Sequence, residues 1–394
     1  MVDAVLQQAT TCRTPEGLVD RAAAADLLDG LPTIDPTTHG VAEALTLFTA
    51  EALGRESVEL QAVSSGGAKG QSGAPVFLAR DDSGAVVAVA KIFPRPAELV
   101  RELSSLERLC SPQFTRFAVP APHAAALLPD EAGPAGVLVF AVAPGRSIDD
   151  LIEAVHASDS SSRESALEVL NRAVVDVAIA LAELHTVPEG SGGPVSTSYL
   201  DFHVDLARRL AETVIADPEV YQTMGLLDLR KFRGLLDESI ANARSDSSAA
   251  ALVHGDAHPG NFFWDPSKGV TFIDTPTCHY SMDAKGAPIA APERDISNFD
   301  QRLAHYCRQF DLTESETTGL RHAFLDAYNS AGGAELSESK LKMFGARSVL
   351  NKLVQIGERV KNTQHTSLED NSLGFDVDLR AEIDLLKRAL GWED

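Results

Sequence analysis

The chain has 394 residues, 34 of them basic and 57 acidic, for a net charge of −23, with 44% hydrophobic residues and four cysteines. This balance argues against nucleic acid or an anionic membrane as a partner, since both are bound through clustered Lys and Arg that displace counterions. No run approaches the roughly 18 apolar residues of a membrane span, the start lacks a secretory signal, and Cys12, Cys110, Cys278 and Cys307 have neither disulfide-framework nor metal-site spacing, so a cytoplasmic protein with reduced thiols is expected.

A chain this long is large for a single core, and two lobes with an accessory segment is the economical reading. Residues 1–55 are expected to be a helical accessory segment: Leu18, Ala22, Leu27 and Leu28, then Val41, Leu45, Leu47 and Phe48, fall at helical spacing, broken by Gly30, Pro32, Pro36 and Gly40. Residues 56–143 carry short alternating runs and read as a small antiparallel sheet with one inserted helix. In that region Val58–Val63 precedes the glycine-rich Ser64–Gly73, Val86–Phe93 reads as a buried strand bearing Lys91 near its end, and Leu99, Leu103, Leu106 and Leu109 mark a helix carrying Arg101 and Glu102. Residues 144–394 read as mostly helical, most clearly at 164–186, where Leu167, Leu170, Val174, Val177, Leu181 and Leu184 form one apolar stripe. Asp149 and Ser160–Ser162 offer caps around it, Asp295 is placed at the start of a helix through Ile296, Phe299 and Leu303, and Leu341, Phe344, Val349, Leu353 and Ile356 mark a last helical stretch. The fold class is α+β.

The densest chemistry lies in Leu252-Val-His254-Gly255-Asp256-Ala-His258-Pro-Gly260-Asn261 and the following Phe272-Ile273-Asp274. Two apolar runs, Ala250–Val253 and Val270–Ile273, are expected as strands flanking a turn-rich loop, so that the polar side chains sit at strand ends. Phosphoryl transfer to a hydroxyl needs a base that orients the hydroxyl and cations that neutralise the transferring group. Asp256 suits the base. Magnesium takes oxygen ligands and keeps several waters, so the amide of Asn261 and the carboxylate of Asp274 are a sufficient protein share. Lys91 suits a cation held against nucleotide phosphates, Glu102 is the best partner to fix it, and the backbone of Ser65, Gly66 and Gly67 could approach phosphate oxygens closely.

Each of these residues has a plainer reading. Lys91 alone could be a snorkelling surface lysine, and Gly-Ser segments also make ordinary hairpins. Cys278-His279 is half a metal site with no second pair nearby, hence an ordinary loop. Trp264 and Tyr280 are more often core or rim aromatics than stacking platforms, and Asp295 could serve only as a helix N-cap. The acidic charge permits a cationic substrate, yet a solvated acidic surface explains it more simply.

Taken in order, the glycine-rich turn, Val-Ala-Lys91 strand, Arg101-Glu102 helix, His-Gly-Asp-x-His-Pro-Gly-Asn loop and Ile273-Asp274 resemble the aminoglycoside phosphotransferase and choline kinase family, over roughly Val58 to Phe299. The resemblance implies a bilobal protein-kinase-like fold, with a small antiparallel sheet in the N-lobe (56–143), a larger, mostly helical C-lobe (144–394) and an N-terminal helical extension (1–55). It implies Asp256 as catalytic base, Asn261 and Asp274 on magnesium, Lys91 on the phosphates with Glu102 as its partner, and a structural role for His254. It further implies a hinge at Gly136–Ser147, where the backbone of Ala141 and Ala143 holds the adenine edge, and Asp295 as a buttress of the catalytic loop. The long stretch Thr275–Glu293 before Arg294-Asp295 departs from compact family members. It is reminiscent of the maltose and glucosamine kinases of the same group, whose loop usually carries Gln where Asn261 stands here. The expected activity is magnesium-dependent transfer of the terminal phosphate of ATP or GTP to a hydroxyl of a small molecule such as an amino sugar, sugar or amino alcohol. The alternatives are a kinase for Ser or Thr hydroxyls of a peptide or protein, and a nucleotide-binding pseudokinase.

Overall fold

The computed structural model describes the chain except residues 1, 13, 15–17, 38–39, 64–73, 130–132, 187–192, 217–227, 365–381 and 393–394. Two compact units divide it, residues 1–146 with 261–287 and residues 147–260 with 288–394.

The first unit opens with three helices, α1 (Val2–Thr10), α2 (Arg21–Asp29) and α3 (Val41–Ala52). Its main sheet holds β1 (Glu59–Ala62), β2 (Val76–Arg80), β3 (Val86–Phe93), β5 (Pro122–Leu128) and β6 (Ala135–Phe140), ordered β1-β2-β3-β6-β5. Every neighbouring pair in it is antiparallel. Helix α4 (Pro96–Leu109) follows β3. Pro96 at its first turn needs no N–H partner, Glu98 and Arg108 complement the helix dipole, and leucines three and four apart supply its buried face.

The sheet is covered on both faces, which explains why β3 and β6 read as continuous apolar runs rather than alternating ones. Phe93 and Leu138 pack on one face with Leu99, Leu103 and Leu106 of α4 and with α1 and α2 through Leu6, Ala9 and Leu27. Val137 and Ala126 pack on the other face against Ala44 and Leu45 of α3. A fully buried leucine contributes about 1.5–3 kcal/mol, so the N-terminal helices are a structural part of this unit. Alternation along β3 then puts Lys91 on the α4 face, two residues before Phe93 and opposite Leu138.

A second, small sheet pairs β8 (Phe262–Asp265) antiparallel to β9 (Gly269–Phe272), with the two-residue β4 (Phe117–Ala118) parallel to β9. Phe117 stacks on Phe272 at 4.2 Å between ring centres. The two-residue β7 (Arg146–Ser147) lies where the chain leaves this unit.

The second unit is helical: α5 (Ile148–Ala157), α6 (Arg163–His185), α7 (Thr197–Ile215), α8 (Leu229–Ser245), α9 (Glu293–Gln309), α10 (Glu314–Ser330) and α11 (Glu338–Gln364), with a further helix at 382–389. The stripe expected along α6 is buried at Leu170, Val174, Val177, Leu181 and Leu184. Helix α5 is capped by Ser147 in a reciprocal box with Asp150, two residues before and one after the expected Asp149. Ala250–Val253, expected as a strand, makes only a single bridge, Ala251 to Ala290, although all four residues are buried. None of the four cysteines, all among the described residues, is in a disulfide. No described helix is long and apolar enough to cross a membrane.

Candidate active site

In the first unit, Lys91 Nζ donates to Asp274 Oδ1 at 2.5 Å and lies 3.8 Å from Glu102 Oε2. Lys91 and Glu102 are 7% and 5% exposed, so this lysine does not snorkel to solvent. Burial works against its charge, but Glu102 and Asp274 outweigh burial and hold its pKa above the ordinary lysine value. Glu102 is fixed by Thr275, whose backbone N–H and hydroxyl both donate to Oε1, at 3.2 and 2.9 Å. One lysine thus faces two carboxyl groups, and burial pushes the Glu102 pKa up against the pull of Lys91.

Asn261 and Asp274 reach the same end of the β8-β9 hairpin by register. Phe262 pairs with Phe272, and one step on the Ile273 N–H donates to the Asn261 carbonyl at 3.0 Å, which leaves Asp274 next in line. Asp274 adopts a left-handed backbone (φ 56), and its side chain is 34% exposed. The two offer hard oxygen donors that fit magnesium, which asks few ligands of a protein. Cys278 and His279 lie buried in the single 3-10 stretch Pro276–Ser281, and among the described residues no group of three or more His, Cys, Asp or Glu could hold a metal.

Leu138, Phe140, Phe272 and Ile273 form the apolar side of a small cavity that Lys91 and Asp274 also line. Ala141, the residue after β6, donates its N–H to the Ala121 carbonyl at 2.9 Å. The chain then runs past Gly145, φ 84, where a Cβ would stand 2.0 Å from the Trp264 carbonyl oxygen. Tyr280 is held by α4, its hydroxyl accepting from the Arg101 guanidinium, which also lies over the ring at 5.3 Å. Ser65, Gly66 and Gly67 lie outside the described residues.

In the second unit the loop carrying Asp256 is held from below by Asp295. Asp295 is not the N-cap of α9, a position taken by Pro292; it lies in the first turn, fully buried. Its Oδ2 accepts the His254 N–H at 2.6 Å and its Oδ1 the Gly255 N–H at 2.8 Å. His185 Nε2 stands 3.2 Å from the same carboxylate, and His185 Nδ1 is 2.9 Å from the Tyr328 hydroxyl. A carboxylate only accepts, so the ring donates from Nε2 to Asp295. Burial alone would raise the Asp295 pKa, but these donors prevail and keep it below the usual carboxylate range. Gly255 turns at φ 83, and the Asp256 N–H donates to His254 Nδ1 at 3.3 Å, which presents Asp256 with its side chain 35% exposed. Asn298 Nδ2 donates to the Ala257 carbonyl at 2.8 Å, a second tie to α9.

The structure thus gathers Lys91, Glu102, Asn261 and Asp274 in one unit and sets Asp256 in the other, five residues before Asn261 in sequence. Thr275, His185 and Tyr328 were not anticipated; only Thr275, next to Asp274, stood near a recognisable motif.

A sheet carrying a lysine paired to a helical glutamate, a carboxylate after a short hairpin, and a His-Gly-Asp loop buttressed from a helix define a two-lobed, protein-kinase-like phosphotransferase. The model of the family described as "Phosphotransferase enzyme family" matches residues 66–281, more than half of the chain, and the chain belongs to that family. No curated protein matches it in sequence. Among solved structures it is similar to a glucosamine kinase in complex with glucosamine, ADP and inorganic phosphate, at 17% identity and a TM-score of 0.53, covering 89% of this chain and 85% of that one. A second crystal form of glucosamine kinase gives 15% identity and a TM-score of 0.51, covering 89% and 83%. At these identities the likeness establishes the fold.

Proposed function

We propose that this phosphotransferase moves the terminal phosphate of ATP or GTP to a hydroxyl of a small molecule, with Asp256 as the base. The acceptor oxygen forms the new bond to phosphorus as the bond from phosphorus to the nucleotide's bridging oxygen breaks, and the hydroxyl proton passes to Asp256. Lys91, kept charged by Glu102 and Asp274, holds nucleotide phosphates and needs no reorganisation during transfer. Asn261 and Asp274 would hold magnesium, which when bound neutralises charge on the transferring group. The backbone of Ala141 and Ala143 would meet the adenine edge, and Ser65, Gly66 and Gly67 would lie over the phosphates.

The observation that carries this reading is the Lys91-Asp274-Glu102 cluster, a buried charged group that a purely structural core would not require. Its test is ADP binding by calorimetry with and without magnesium, in wild type and Asp274→Ala. Wild type should bind about ten-fold more tightly with magnesium, and the variant should lose that gain; a gain of equal size in both would remove Asp274 from the metal site.

A further inference from the structure

Helices α9 and α11 carry a half-buried pair of cations, Arg294 and Arg347, that the mechanism above does not use. Arg294, beside Asp295, donates from Nη1 to the Tyr199 hydroxyl at 3.4 Å and to His203 Nε2 at 3.3 Å. A guanidinium only donates, so His203 offers its lone pair at Nε2 and carries its proton at Nδ1. His203 is 1% exposed, and burial, then Arg294 and Arg347, push its pKa well below 6.5, so the ring is neutral. Among the described residues, His203 Nδ1, Arg294 Nε and Arg347 Nε are all buried with no hydrogen-bond partner.

Neither arginine forms an ion pair with a described carboxylate. Arg347, on α11, is pushed down to about 9 by burial and then by Arg294. Asp256 bears on both arginines, Asp295 on Arg294, and Arg302 on Arg347. The oxygens of Asp295 are already taken by His254, Gly255 and His185, so that carboxylate is not free to pair with either arginine. Half-burying two like charges side by side is unfavourable without a counter-ion, and guanidinium forks match carboxylate and phosphate oxygens.

We propose that Arg294 and Arg347 bind an anionic group of the acceptor, a carboxylate or a phosphate, near Asp256, so that the substrate is a hydroxylated acid rather than a cationic amino sugar. This rests on the reading of Asp256 as the acceptor's base and names the acceptor class for that site.

The test uses the full chain with saturating ADP and magnesium, titrated calorimetrically with inorganic phosphate, glycerate, glycerol and glucosamine. Phosphate, glycerate or both are expected to bind, at least about ten-fold more weakly in Arg347→Gln and unchanged in Arg244→Gln, a surface control. Glycerate binding assigns a carboxylate acceptor, and phosphate binding alone a phosphorylated one. Absence of anion binding, equal binding by Arg347→Gln, preference for glucosamine, or phosphate binding that ADP abolishes overturns the proposal, the last because the pair would then serve the nucleotide. Should Arg347→Gln fail to fold by circular dichroism, Arg347→Lys replaces it and should bind several-fold more weakly; unchanged binding again overturns the proposal. Failure of the phosphotransfer reading shows separately, as absence of magnesium-dependent ADP binding.

Discussion

Asp295 holds Gly255: a carboxylate in the first turn of α9 accepts, at 2.8 Å, the N–H of the residue just before Asp256, 40 residues earlier in the chain. The same carboxylate takes the His254 N–H and faces the His185 ring, so one buried charge fixes the backbone from which Asp256 projects. Asp295→Asn keeps the shape but must turn an amide N–H toward one of these donors. Unfolding in denaturant should show a loss of about 2–4 kcal/mol, with a fall in phosphoryl transfer. Unchanged stability would remove the buttress role.

Gly145 is constrained by space as well as by φ, since a Cβ there would stand 2.0 Å from the Trp264 carbonyl oxygen. Gly269 has a similar φ of 78 but open surroundings. Gly269→Ala should therefore cost about 1 kcal/mol, and Gly145→Ala at least about 3 kcal/mol, in thermal or denaturant unfolding. Equal losses would show that close approach is not what selects glycine at 145.

His203 sets a pH dependence. Its folded pKa is depressed below 6.5, the unfolded value, by burial and then by Arg294 and Arg347. The stability contributed by the neutral ring is thus present above pH 6.5 and is lost as pH falls toward the folded pKa. Between pH 6.5 and 5.5 the loss should be about 1 kcal/mol. The unfolding free energy of His203→Gln should be flatter over this window by that amount, and curves of equal slope would show that the ring does not titrate as argued.

What was legible in the sequence followed from periodicity and motif order. The α6 stripe and the strand bearing Lys91 were readable because burial on one face or on both leaves a distinct apolar pattern. Ala250–Val253 was misread as a strand, since an apolar run shows burial without showing pairing, and this one makes a single bridge. Asp295 could be placed at a helix start, but its side-chain target lies 40 residues earlier in the chain, beyond any local rule. Arg347 sits on a long C-terminal helix with no motif around it, and only packing sets it within electrostatic reach of Arg294 and Asp256. Gly145 stood in the expected hinge; the close approach of Trp264 is a tertiary fact.

Asp256, as the base, takes the acceptor's proton in the proposed reaction. The direct measurement is the rate of nucleotide-dependent phosphoryl transfer by Asp256→Asn beside wild type, with ADP affinity determined on the same samples. The account predicts a rate lower by about a thousand-fold with ADP affinity little changed. Equal rates in the two proteins would contradict it.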